Sequence, residues 1–271
     1  MTDDRFGPFG ITTGLDSSEH SLEAARAAEE LGYPAIWLSG GSLPGLQTII
    51  DLVGATSSIQ FISGILAVSK YSAADVSTTY AALEASAPGR FMVGLGGAHG
   101  PRPLATLNEY LDELDVPLER RVLAALGPKM LTLARDRSAG AYPFLITAAY
   151  AAEARRVLGP DKLLAVSHLV VLEPDAAKAR AIARGTIGFF PQIPPYAASF
   201  KRQGFTDKDL AELPDQMVDA LAAWGSPADI KAKLSDHLDA GVDHVAVNVI
   251  TGATGPQPVE QWRALAPTLL P

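Results

Sequence analysis

The 271-residue chain contains no cysteine, which excludes disulfides, thiolate nucleophiles and zinc–thiolate centres and makes the cytoplasm the expected compartment. Positive charge is also in short supply. Lys and Arg number 22 against 30 Asp and Glu, a formal net charge of -8, and the cations are dispersed, so nucleic acid is not an expected partner. No apolar run reaches the length of a membrane span; the longest, ISGILAV, covers residues 62–68, and the opening MTDDRFGPFG has no apolar signal-type region. Neither a membrane nor export is expected. There is no Pro/Ser/Gly tract or charge block to act as a linker, so residues 1–271 read as a single domain, and 48% hydrophobic content is enough for one large core.

What the chain does have is a regular alternation. Strand-like runs lie at 9–13, 35–39, 59–66, 91–95, 121–126, 142–146, 164–172 and 244–250, eight in all, with amphipathic helical patterns between them. The first helical pattern, SSEHSLEAARAAEELG, has Asp16 and Glu19 spaced as a capping pair and Gly32 at its end. Strands separated by helices imply a parallel sheet with helices outside. Eight such units predict an α/β fold of the (β/α)8 TIM-barrel kind, with a doubly wound open sheet as the competing architecture. A barrel places functional groups where strands end. The corresponding positions are Thr12 and Thr13, Ser39 to Ser42, Gly64 to Lys70, Gly94 to Arg102, Gly127 to Met130, Thr147 to Tyr150, and Asn248 to Gly252.

Between the seventh and eighth strands a long helical stretch runs from Asp175 to Ala222, and within it GTIGFFPQIPPYAASFKRQGFTDKDLAEL, residues 185–213, is too long for an ordinary connection and reads as an insertion over the mouth. Its Phe189, Phe190, Tyr196, Phe200 and Phe205 suit either an apolar lid over a pocket or a satellite helix pair packed on the barrel side.

The segment RFMVGLGGAHGPR, residues 90–102, invites comparison with a dinucleotide fingerprint. It fails, because counting from Gly94 the sixth position is His99, and two prolines precede the next helix. Its glycines would instead let main chain lie against a flat ligand, with His99 placed to donate a hydrogen bond or a proton, unless it is merely structural. After the fifth strand, Gly127 permits close approach, Pro128 suits a first helical position, and Lys129 falls in the first turn. A cation there has the wrong sign for the helix dipole, a conflict that a bound phosphate would relieve; the bland alternative is a lysine that reaches into solvent. In the third strand, Gly64 marks a bulge or a close approach. There is no G-K-[ST] loop, no H-E-x-x-H and no G-x-S-x-G, and the histidines lack metal-ligand spacing, so a metal site is not expected.

ELGYPAIWLSG, APGRFMVGLGGAHGPR, LNEYLDELD, AALGPKMLTLARDRSAGAYPFLIT and HLDAGVDHVAVNVI together resemble the luciferase-like monooxygenase superfamily, and within it the deazaflavin (F420)-dependent oxidoreductases. The resemblance runs in order along nearly the whole chain. It implies a dimeric barrel with F420, or alternatively FMN, at its mouth and a small organic substrate, which Phe190, Tyr196 and Phe200 of the insertion suggest is apolar. By position it also implies a bulge with a non-prolyl cis peptide at Gly64–Ile65 behind the coenzyme ring. The expected coenzyme contacts are Ser39, Gly64, Ile65, Gly96, Gly97, Ala98, Gly127, Pro128, Lys129 and Met130, with His99 the candidate catalytic residue. Where relatives end the second strand with an acid or a histidine, this chain has WLSGGSLPG, so no proton donor carries over there. Hydride transfer, oxygen-dependent FMN chemistry and non-catalytic flavin binding all remain open at this point.

Overall fold

The computed structural model describes residues 6–98, 100–252, 255 and 257–270. In chain order the elements are β1 (Phe9–Thr13), α1 (Glu19–Glu30), β2 (Ala35–Ser39), α2 (Gln47–Ala55), β3 (Gln60–Gly64), β4 (Leu66–Ala67), α3 (Ala73–Ser86), β5 (Phe91–Gly96), α4 (Pro103–Glu113) and β6 (Arg121–Leu123). There follow α5 (Pro128–Arg137), β7 (Gly140–Ala141), α6 (Ala148–Leu158), β8 (Leu163–Val171), α7 (Ala176–Ile187), α8 (Pro194–Arg202), α9 (Asp207–Glu212), α10 (Asp215–Leu221), β9 (Ala222–Trp224), α11 (Pro227–Asp239), β10 (His244–Val249) and α12 (Val259–Leu269). Hydrogen-bonded neighbours run β10-β1-β2-β3-β5-β6-β7-β8, and β10 pairs with β8 to close the ring, all parallel. The result is a closed eight-stranded (β/α)8 barrel.

Side-chain alternation divides the core in two. In β2, Ile36 and Leu38 point outward into the layer between strands and helices, while Ala35 and Trp37 point into the barrel. Trp37 stacks on Tyr142 with ring centroids 3.9 Å apart. Ile62, Met92, Val122 and Ala246 fill the same interior, and Phe6 closes it off. Below Trp37, the indole N–H donates to His244 Nε2 at 3.0 Å, so His244 Nδ1 carries the proton and donates to the carbonyl of Gly7 at 2.8 Å. The interior is packed, which leaves the strand ends as the place for ligands.

Four local expectations need correction. The sixth strand lies at 140–141 rather than 142–146, because Pro143 has no N–H to donate and Leu145 adopts a left-handed φ of 54°, leaving a single bridge from Phe144 to Ser167. The fifth strand ends at Leu123 rather than Leu126. Helix α1 is capped by Ser18, whose hydroxyl accepts from Ser21 N–H, while Asp16 accepts from Ser18 and Ser21 instead of pairing with Glu19. The long helical stretch breaks into α7 to α10 at its prolines, at Gly204 (φ 93°) and at Leu213 (φ 47°), and at its end Ala222 opens β9 (Ala222–Trp224), paired with the second half of β8. This insertion makes its own core: Phe200, Met217, Val218 and Leu221 are buried with Leu145 and Leu169, and Phe190, Tyr196 and Phe205 pack against them. It is a satellite helical layer, and Phe189, 64% exposed, stands outside it.

Candidate functional site at the barrel mouth

The strand ends bring one group of expected residues into contact around the third strand. Between β3 and β4 the Gly64–Ile65 peptide is cis, at the place the resemblance implies. Gly40 N–H donates to the Gly64 carbonyl at 3.3 Å, and a Cβ on Gly40 would fall 1.6 Å from Ile65 O. A Cβ on Gly96 would meet Ala124 at 2.9 Å and the Ile65 side chain at 3.1 Å. Ser39, Gly64, Ile65 and Gly96 therefore form one surface of close-packed main chain. Gly97 follows with a φ of 65°, a left-handed conformation that suits glycine. The glycines also have an internal reason. A Cβ on Gly64 would come within 2.9 Å of the Tyr142 ring, and one on Gly94 within 1.8 Å of Ser63 O. Ala98 packs half-buried against the outer core. His99 lies outside the described residues.

A second group gathers at the start of α5. Gly127 is the N-cap residue, Pro128 opens the helix, and no side chain caps it. Lys129 in the first turn is exposed, and Met130 packs partly buried on the core. Arg202, brought across by α8, donates from Nη2 to the Leu126 carbonyl at 2.8 Å and sits 3.2 Å from where a Cβ of Gly127 would be. Tyr150 O–H donates to the same carbonyl at 3.0 Å. Lys129 and Arg202 have no carboxylate partner among the described residues. The helix start thus offers free N–H groups and two unpaired cations, a donor set that fits a phosphate. Arg202 had no signal in the sequence, since its place depends on how the insertion folds back.

The opposite side of the mouth holds a cleft of about 600 Å³. Thr12, Thr13, Ser39 and Asn248 line it from the strand ends, Thr186 from α7, and Gln257 from the loop before α12. Gln257 fastens that loop: its Oε1 accepts from Thr13 and its Nε2 donates to Gly14 O. Thr12 and Asn248 stand among the strand-end positions expected from sequence. Thr186 and Gln257 do not, because they reach the cleft from a helix and a return loop. No helix among the described residues is long and apolar enough to cross a membrane, and none of their His, Asp and Glu side chains form a group of three that could hold a metal.

Residues 5–120 match the family model for luciferase-like monooxygenases. Over that stretch the chain is similar to luciferase-like monooxygenases. Curated relatives include an N-acetyl-S-alkylcysteine monooxygenase of Bacillus subtilis, 32% identical over 103 residues, a match covering 35% of this chain and 30% of the relative. A 5,10-methylenetetrahydromethanopterin reductase of Methanolobus tindarius is 23% identical over 288 residues, covering 82% of this chain and 87% of the reductase. Among solved structures, an F420-dependent secondary alcohol dehydrogenase in complex with an F420-acetone adduct superimposes with a TM-score of 0.74 at 14% identity, covering 98% and 99% of the two chains. The oxygenating constituent of 3,6-diketocamphane monooxygenase from Pseudomonas putida, in complex with FMN, gives a TM-score of 0.71 at 14% identity, covering 97% and 99%. At these identities the structural likeness establishes the shared barrel.

Proposed function

We propose that this chain is a luciferase-like oxidoreductase that transfers a hydride between F420 and a small organic substrate. The observation that carries the reading is the start of α5, where Lys129 and Arg202 stand unpaired beside an uncapped helix N-terminus in a chain of net charge -8. Two cations at the positive end of a helix dipole repel each other and the dipole unless an anion lies among them. The coenzyme's phosphate is that anion. Ser39, Gly64, Ile65, Gly96 and Gly97 then provide the flat main-chain surface against which a planar ring rests, with Ala98, Pro128 and Met130 supplying apolar contact. Bound there, the coenzyme supplies a two-electron hydride donor or acceptor, and the chain's share is to hold it, orient the substrate and exclude water. His99, three residues beyond the end of β5 in the sequence, is the proposed proton donor. The likeness to the methanopterin reductase and to the F420-dependent dehydrogenase supports F420.

A second reading keeps the site and replaces F420 with FMN and oxygen; the FMN complex and the Bacillus monooxygenase favour it. Both coenzymes carry a phosphate, so the α5 site serves either. Fluorescence titration separates them: tight binding of F420 with weak FMN binding supports the first reading, and the reverse order supports the second. In either case Lys129→Glu weakens the bound coenzyme by about tenfold or more, equivalent to ~1.4 kcal/mol, through loss of one attraction and gain of one repulsion. Unchanged affinity in a folded variant removes α5 from the site. A non-catalytic barrel would bind coenzyme and turn over no member of a substrate panel.

A further inference from the structure

The cleft over β1, β2 and β10 lies on the other side of the mouth from the surfaces assigned above to ring and phosphate, and shares only Ser39 with them. Resting on the oxidoreductase reading, we propose that this cleft is the substrate subsite, and that it takes an uncharged molecule anchored through a carbonyl or hydroxyl oxygen.

The lining decides the chemical class. Among the described residues it contains no Asp, Glu, Lys, Arg or His. An anion has no cation to meet. The two arginines of α7 are turned to the insertion, Arg180 pairing with Asp215 and Asp219, and Arg184 with Asp215. Gly185 and Thr186 bring the C-terminal end of α7 to the cleft, and the partial negative charge of a helix C-terminus opposes a carboxylate or phosphate. A cation finds no carboxylate either. Burying an unpaired ion in such a cleft costs far more than burying a hydrogen-bonded neutral group.

The polar groups that remain are neutral, and only some are committed. Thr12 donates to the Trp37 carbonyl, and Thr13 and Gln257 bond each other. The side chains of Ser39, Thr186 and Asn248 have no hydrogen-bond partner among the described residues, and all three face the cleft. An amide N–H of Asn248 suits a carbonyl oxygen, and the two hydroxyls can both donate and accept. Ile182, Val249, Ile250 and Pro258 give the rest of the wall an apolar character that suits a hydrocarbon body.

The test uses two probes of similar shape, 4-methylcyclohexanone and 4-oxocyclohexanecarboxylate, which share a ketone and differ by one negative charge. Binding is followed by protein NMR on the full chain, with and without F420. The ketone is expected to shift the Asn248 side-chain amide resonance and to bind at least about tenfold more tightly than the carboxylate. Asn248→Leu and, as a shape-preserving second variant, Thr186→Val should each weaken ketone binding roughly five- to tenfold while leaving F420 affinity as in the unmodified chain. Equal or tighter binding of the carboxylate overturns the proposal, as does unchanged ketone affinity in both variants once their melting shows them folded. The two readings fail separately: neutral selectivity through Asn248 with no coenzyme bound sustains the cleft and removes the hydride reading, whereas coenzyme binding with no ketone at Asn248 does the opposite.

Discussion

Glycine is the residue whose meaning changes most between sequence and structure. Gly94 looks like part of a ligand loop, yet it sits inside β5 where a Cβ would fall 1.8 Å from the backbone oxygen of Ser63, and that backbone is held because Ser63 Oγ bridges Gly94 N–H and O. No side chain can move aside to make room. Gly54, by contrast, is exposed in α2 with nothing within 4 Å of an added Cβ. Gly94→Ala should therefore destabilise by about 2 kcal/mol or more, as overpacked cores do. Gly54→Ala should stabilise by roughly 0.5–1 kcal/mol, because alanine loses less backbone entropy in a helix. Paired thermal melts check both, and equal shifts in the same direction would contradict the assignment of one glycine to close packing and the other to open surface. Gly64 belongs with Gly94, since the Tyr142 ring that fills its Cβ space is itself clamped by its stack on Trp37.

Elements were legible where a simple period governs them. The staves at 9–13, 35–39, 91–96 and 244–249 follow from compact runs of β-branched and aromatic residues, and closure follows from counting eight of them. The failures have local physical causes. Pro143 and the left-handed Leu145 cut short a run that reads as strand, and AAW at 222–224 pairs with β8 although its neighbours are helical, which is tertiary context overriding propensity. The site was legible to the same degree: strand-end residues such as Ser39 and Asn248 follow from the barrel, but Thr186, Arg202 and Gln257 arrive by long-range folding that no short pattern encodes. The insertion shows how one element is fixed to the mouth. Gln203, just after α8, accepts from Thr147 N–H at 2.8 Å and donates to Leu145 O at 3.1 Å, satisfying both backbone groups around the irregular turn. Gln203→Leu leaves them without partners, at about 1–3 kcal/mol for each buried group. Hydrogen exchange in residues 189–213 should then accelerate by more than tenfold while exchange in β1, β2 and β10 stays near its original rate. Uniform acceleration across the barrel would mean that the insertion is not a separately opening unit.

At the scale of the whole molecule, three buried histidines set how the fold responds to acid. Burial pushes His237 and His244 down to about 4 and holds His168 well below its ordinary 6.5. His168 of β8 faces His237 of α11 edge-on at 4.6 Å; His168 Nε2 and His237 Nδ1 have no hydrogen-bond partner among the described residues. Lys233 adds to the downward push on both, and Asp236 offsets part of it at His237. Above pH 6.5 these rings are neutral in folded and unfolded chains alike, so they add no pH dependence. As pH falls below 6.5 the unfolded chain takes up protons that the fold refuses, so stability falls, by on the order of 3 kcal/mol each for His237 and His244 by the time pH nears 4, with His168 adding to the loss in the same direction. Carboxylates act in a different window. Asp16, held near 2 chiefly by the hydroxyls of Ser18 and Ser21, contributes stability that is lost only as pH drops below its ordinary 3.8 towards 2. Glu29, near 2 because the backbone N–H groups of Ser57 to Ile59 outweigh its desolvation, follows the same rule from 4.5 downward. Melting temperature should therefore be level from pH 8 to 7 and decline between 6.5 and 4. His237→Phe, which removes one buried proton acceptor while keeping an aromatic ring against His168, should make that decline shallower and leave the loss below pH 4 in place. A variant curve parallel to the original through this range would mean that the buried pair does not refuse protons, and that the acid response belongs to the carboxylates alone.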